Sequence, residues 1–172
     1  LENKISKKTK LVTVTHMSNV LGTINPVTEI VKIAHGNGAL CLIDGAQSVP
    51  HLSIDFKKID ADFFAFSGHK MLGPTGIGGL IAKQELLEKL DPALRGSEQI
   101  KSVSLFNTTW NDLPWKFEPG TPNIADAIAL GSAVDYLEKI GMKNIQEHEK
   151  ELTKYALQKL QEISEVKIFG PL

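Results

Sequence analysis

Leu11-Val12-Thr13-Val14-Thr15, then Pro26-Val27-Thr28-Glu29-Ile30-Val31-Lys32-Ile33-Ala34, then Ala39-Leu40-Cys41-Leu42-Ile43-Asp44 is the stretch that decides the fold. The first run is β-branched and of strand length. In the second, Pro26 opens a helix where its missing N–H costs nothing, and Val27, Ile30, Val31 and Ala34 recur at helical spacing. Gly36-Asn37-Gly38 stops that helix with residues that tolerate positive φ. The third run is continuously apolar, as a strand buried on both faces requires. Strand, helix and strand with short connections form a βαβ unit, so the two strands run parallel.

Further along, Asp62-Phe63-Phe64-Ala65-Phe66 reads as another strand and delivers Ser67-Gly68-His69-Lys70. Gly73-Pro74-Thr75-Gly76-Ile77-Gly78-Gly79 then forms a tight turn before Leu80-Ile81-Ala82, and a short helix covers residues 85–90. Residues 91–123 have no clear period and read as loop. Two helices follow, at residues 124–140 and 144–163, and Val166-Lys167-Ile168-Phe169 begins a strand with no partner in the chain. The expected fold class is α/β, with a mainly parallel sheet flanked by helices. The chain opens at Leu1 and stops at Gly170-Pro171-Leu172, which reads as an internal piece of a longer protein.

With 172 residues the chain is long enough for one domain with a core, and 42% hydrophobic and 23% charged residues are ordinary globular values. A net charge of −1 gives no electrostatic reason to expect nucleic acid or an anionic membrane. No apolar run approaches the roughly 20 residues that cross a bilayer. A single cysteine excludes an internal disulfide and a multi-thiolate zinc site and points to the cytosol. His16, His35, His51 and His148 lack metal-ligand spacing, so no metal is assigned.

Two strand ends carry chemistry. Ligands of open α/β sheets bind outside the carboxyl ends of the strands. A lysine is by default a solvated surface residue, but Lys70 sits directly after a strand between glycines. There, partial desolvation supplies the neutral amine that forms a Schiff base. Asp44 could simply be a turn aspartate. As a functional group it would pair with a protonated pyridine nitrogen, and Gln47, three residues on, would donate to a phenolate oxygen. Ser67 and His69, otherwise a turn residue and a structural histidine, suit a phosphate ester. Together these residues suggest a pyridoxal-phosphate site. The glycine-rich turn lacks the Gly-Lys-Ser/Thr ending of a P-loop, and Cys41, inside an apolar strand, is a packing residue.

The motifs His16-Met17-Ser18-Asn19-Val20-Leu21-Gly22-Thr23, Asp44-Gly45-Ala46-Gln47, Ser67-Gly68-His69-Lys70 with Gly73-Pro74-Thr75-Gly76-Ile77-Gly78, and Phe117-Glu118-Pro119-Gly120-Thr121-Pro122-Asn123 occur in an order that resembles a known family. It is the class V aminotransferase group of fold-type I pyridoxal-phosphate enzymes, and most closely the SufS-like (group II) cysteine desulfurases. The resemblance implies that residues 1–164 are the central part of the large, cofactor-binding domain and 165–172 the start of a small one. It implies that Lys70 is the catalytic lysine bound to pyridoxal 5'-phosphate. Asp44, Gln47, Ser67, His69 and, near the substrate carboxylate, Asn19 would be cofactor ligands. Thr121 would reach the phosphate of the other subunit of a homodimer. The implied reaction takes sulfur from L-cysteine as an enzyme persulfide, leaves alanine, and passes the sulfur to an acceptor protein for iron-sulfur cluster assembly. The acceptor cysteine, the substrate-clamping arginine and a ring-stacking histidine belong to regions outside these residues. Arg95-Gly96-Ser97-Glu98-Gln99-Ile100 departs from the Gly-Gly-Gly usual there. A selenocysteine lyase or another class V lyase or aminotransferase is the alternative enzyme. A non-catalytic dimerising scaffold is the alternative of a different kind, and it would have no use for Lys70, Asp44, Gln47 and His69 together.

Overall fold

A computed structural model describes residues 2–171. Its centre is a four-stranded sheet of β1 (Leu11–Thr15), β2 (Leu40–Asp44), β3 (Phe63–Ser67) and β4 (Gly78–Ala82), in the order β1-β2-β3-β4. β1, β2 and β3 are mutually parallel, as the βαβ reading expects, and β4 runs antiparallel to β3. The register sets Thr15, Asp44 and Ala65 level across the three parallel strands, so their carboxyl ends form one edge. Leu80, Ile81 and Ala82 belong to β4.

Helix α1 (Val27–Gly36) links β1 to β2 and presses Val31 and Ala34 onto the sheet. The buried core on this face joins these to Val27, Ala39, Cys41, Ile43, Ile59, Ala61 and Phe64, with Val12 and Val14 packed against it. Each large apolar side chain so buried contributes about 1.5–3 kcal/mol, which makes this face the anchor for the strand ends. α2 (Phe56–Ile59) is a single turn capped by Asp55, whose side chain accepts from the Lys58 N–H.

α3 (Gln84–Lys89) follows β4. The segment expected to be all loop contains a hairpin, β5 (Ile100–Val103) with β6 (Thr108–Trp110), held across by Ser102 and Thr109 hydroxyls at 2.6 Å. Every residue of β5 is exposed, so it carried no alternation for a sequence reading to find. α4 (Ile124–Ile140) and α5 (Met142–Gln161) close the chain; Gly141 separates them, and α5 begins two residues earlier than its periodicity suggested. The strand expected at residues 166–169 does not form, because an apolar run becomes a strand only against a partner and none of the described strands pairs with it. No helix among the described residues is long and apolar enough to cross a membrane.

Candidate functional site

The three parallel strands deliver their polar residues to the same edge. Asn19 lies in the turn after β1, Asp44 ends β2, Gln47 lies in the turns that follow, and Ser67 ends β3. His69 and Lys70 sit in the 3-10 turn Gly68–Met71 that directly continues β3. Backbone bonds fix this edge: the His16 N–H donates to the Asp44 carbonyl at 2.8 Å, and the Gly45 N–H donates to Ala65 at 2.8 Å. The turn after Asp44 is itself wound tight, with the Ser48 and Val49 N–H groups both bonded to the Gly45 carbonyl.

The side chains at this edge are uncommitted. Among the described residues the Asp44 side chain accepts only the Ala46 N–H, at 2.9 Å through Oδ1. Among the described residues the side chains of Asn19, Gln47, Ser67, His69 and Lys70 make no hydrogen bond or ion pair within the protein. Lys70 and His69 are exposed, and Ser67 and Gln47 half-buried. His69 is therefore not a satisfied structural histidine. Thr121 is also exposed and unbonded, but it stands apart, before α4, and no hydrogen bond ties it to the other six. One carboxylate oxygen, two amides, a hydroxyl, an imidazole and an ammonium, all open on one edge, fit a ligand carrying both a cationic ring nitrogen and a phosphate dianion. In that respect the donor set suits pyridoxal phosphate.

Three features escaped the sequence reading. His16 is buried, and among the described residues its Nδ1 has no partner; burial pushes its pKa down, which favours the neutral ring. Its backbone extends the β1–β2 pairing one residue past Asp44, and only its position after a strand hinted at this. Asn123 caps α4 and also donates to the Gly76 carbonyl at 3.2 Å, tying the glycine-rich turn to a helix 47 positions away. Gln99, in the stretch that departs from Gly-Gly-Gly, is buried and accepts the Gly96 N–H at 3.0 Å. Cys41 is fully buried, and burial, with the Asp62 charge adding to it, pushes its thiol up to about 11. That thiol is neither ionised nor accessible.

The opposite edge of the sheet is closed electrostatically. Asp62, just before β3, accepts from the Cys41 N–H at 2.7 Å, pairs with His35 Nε2 at 2.8 Å, and faces Lys83 Nζ at 3.3 Å. Lys83 also pairs with Asp60 at 2.8 Å. Burial pushes the Asp62 carboxyl up, but the His35, Cys41 and Lys83 bonds together outweigh it and hold the group below the ordinary carboxylate range.

Residues 1–172 match the family Aminotransferase class-V. A protein of Halalkalibacterium halodurans named a probable cysteine desulfurase is 57% identical over 171 residues, which is 99% of this chain and 42% of that protein. The cysteine desulfurase of Haloferax volcanii is 53% identical over 97% of this chain and 39% of its own length. The chain thus spans about two-fifths of the length of these curated relatives. Among solved structures, the apo cysteine desulfurase of Thermococcus onnurineus NA1 superposes with a TM-score of 0.92 at 44% identity, over 99% of this chain and 42% of that one. A C-DES mutant with glycine covalently linked to its PLP cofactor superposes with a TM-score of 0.84 at 25% identity, over 95% of this chain and 44% of that one.

Proposed function

The chain belongs to the class-V aminotransferase family, and on that premise we propose that the full-length protein is a pyridoxal-phosphate-dependent cysteine desulfurase. The observation that carries this reading is the set of open donors and one open carboxylate oxygen around Lys70, at the carboxyl edge of a parallel sheet. Desulfurases similar to this chain at more than half identity support the choice of reaction.

Pyridoxal phosphate, when bound, supplies an electron sink for the bonds at the substrate's Cα. Lys70 would hold the cofactor through its amine and, once the substrate amine has taken that place, would carry the proton at the substrate's Cα. Asp44 presents its unshared carboxylate oxygen to a ring nitrogen and favours the protonated, cationic form. Gln47 donates to the ring's phenolate oxygen. Ser67 and His69 would donate to the phosphate, and Asn19 would serve the cofactor and the substrate carboxylate. Overall, the substrate Cβ–S bond breaks and an S–S bond forms to an acceptor thiol, while the carbon skeleton takes up protons and leaves as alanine. Cys41 is not that thiol, since it is fully buried with its pKa pushed up to about 11. The acceptor cysteine therefore comes from outside these 172 residues.

The finer reading places residues 1–164 in the large domain and 165–172 at the start of a small one. It makes the protein a cytoplasmic homodimer in which Thr121 serves the partner's phosphate. Its sulfur passes to an acceptor protein for iron-sulfur cluster assembly. A second reading, a class-V lyase that eliminates sulfur from its substrate, is favoured by the likeness to C-DES, solved as a cystine C-S lyase with its product cysteine persulfide (TM-score 0.72, 29% identity over 81% of this chain and 38% of that one). The products separate the two: alanine for the desulfurase, pyruvate and ammonia for the lyase.

Lys70→Ala in the full-length protein tests the cofactor assignment. Visible absorbance of the bound cofactor should disappear after desalting, with the fold retained by circular dichroism. Retention of the wild-type band by the variant would overturn it.

A further inference from the structure

The 3-10 turn that carries Lys70 runs into the glycine-rich turn, and the two form one closed loop. The Gly68 N–H donates to Ile77 at 2.9 Å, and the Gly73 N–H donates to Gly68 at 2.9 Å. Leu72, between them, is left-handed at φ 66°. Among the described residues no side chain grips Lys70, so the place from which it projects is set by what holds this loop.

What holds it is the start of α4. A Cβ at Gly73 would lie 2.9 Å from Leu130 Cδ1, and one at Gly76 would lie 2.6 Å from Asp126 Oδ2 and 2.9 Å from Asn123 Nδ2. At these two positions the backbone of the loop therefore meets the side chains of the helix, and a side chain at Gly73 or Gly76 would displace them. The polar contact is made by Asn123. Its Oδ1 accepts the Asp126 N–H at 3.4 Å as an N-cap, and its Nδ2 donates to the Gly76 carbonyl at 3.2 Å and to Asp126 Oδ2 at 2.6 Å.

Capping does not explain the choice of asparagine. Aspartate and serine cap as well, yet neither offers an amide that donates outward from the helix while its oxygen accepts within it. The Asp126 carboxylate orients that amide so that its second hydrogen meets Gly76. We infer that Asn123 is a positioning residue for Lys70: its amide locks the glycine-rich turn onto α4 and so fixes where the lysine amine stands at the sheet edge. The inference rests on the reading of Lys70 as the cofactor lysine.

Asn123→Asp in the full-length protein is the test. It keeps the cap, removes the donor to Gly76, and sets a second carboxylate against Asp126. Asn123→Ser removes the donor without adding charge. Both should raise the pyridoxal-phosphate dissociation constant about three- to tenfold, the worth of one such hydrogen bond. In the cofactor-free protein, both should speed amide exchange at residues 72–78 by a similar factor, while the thermal midpoint stays near wild type. Cofactor affinity within about twofold of wild type in both variants, with exchange unchanged, overturns the inference. So does a loss of affinity that only tracks a loss of folded protein, which is what a mere helix cap would give. If Lys70→Ala loses its cofactor band and the Asn123 variants are silent, this inference alone fails; if Lys70→Ala keeps the band, the reading beneath it fails.

Discussion

Replacing Asp62 by asparagine exchanges one oxygen for a donor inside a network of four polar side chains, Asp62, His35, Lys83 and Asp60. The Asp62 side chain is 5% exposed and serves three donors, from His35, Cys41 and Lys83. Asparagine keeps one acceptor oxygen, enough for the Cys41 N–H and His35, but it turns an amide donor toward the Lys83 ammonium. One charge-assisted bond is lost, at about 1.5–3 kcal/mol. Lys83 retains its pair with Asp60, 65% exposed, which softens the loss. Asp62→Ala also orphans the buried Cys41 N–H and leaves Lys83 and His35 without their shared partner, for a total of about 3–5 kcal/mol. Urea unfolding of the full-length protein reads both as shifts of the midpoint at constant slope. The pH dependence has a definite sign. The Asp62 carboxyl is held below its usual range, so its stabilisation is complete above the unfolded value, about pH 4, and is lost as pH falls through the lower folded value. The gap between wild type and Asp62→Asn should be flat from about pH 5 to 8 and close below about pH 4. A gap under about 1 kcal/mol at neutral pH, or one that widens toward pH 3, refutes the reasoning. Because this network lies at the amino edge of the sheet, cofactor absorbance per folded molecule should not change.

Two further outcomes follow from buried groups. Lys116, 8% exposed, donates through Nζ to the Leu87 and Glu88 carbonyls at 3.2 and 2.8 Å, satisfying the last turn of α3. Lys116→Met should cost about 1–3 kcal/mol and speed amide exchange across residues 86–90, and stability within error of wild type would show those bonds to be dispensable. Cys41, with its pKa pushed up to about 11, should resist alkylation in the native protein at pH 8 and react at once in denaturant; rapid native-state labelling would contradict its burial.

Local pattern carried most of the fold. Val27, Ile30, Val31 and Ala34 mark one face of α1, and the apolar run before Asp44 marks a strand, so the βαβ unit and its parallel direction followed; burial on both faces did not, since only Cys41 and Ile43 of β2 are buried and Leu40 is exposed. The shared edge of Lys70, Asp44, Gln47, Ser67 and His69 was legible for a related reason: each ends or follows a readable strand, and the strand direction fixes where it emerges. What stayed hidden depends on distant partners. Residues 100–103 and 108–110 each look like loop, and they are strands only because they face each other. Residues 166–169 look like a strand and are not one, for want of a partner. The Asp62 network draws on residues 35, 41, 60, 62 and 83, no two of which share a motif.

The two ends of β3 show how one strand divides stability from chemistry. At its amino end Asp62 is buried, and both oxygens are used by protein donors. A carboxylate there is tolerable only because it is paired, since an unpaired buried charge costs several kcal/mol or more. At its carboxyl end the side chains of Ser67, His69 and Lys70 have no hydrogen-bond or ion-pair partner among the described residues. They are half-buried or exposed, so water satisfies them until a ligand arrives. Had the Lys70 end been saturated with carboxylates like the Asp62 end, its amine would be held as a paired ammonium and could not act as a nucleophile. Among the described residues no carboxylate is paired with Lys70, and on the proposed reading of this lysine that leaves its amine available. The loop must then be held by neutral contacts, which is the part that backbone bonds, Leu130 and the Asn123 amide play.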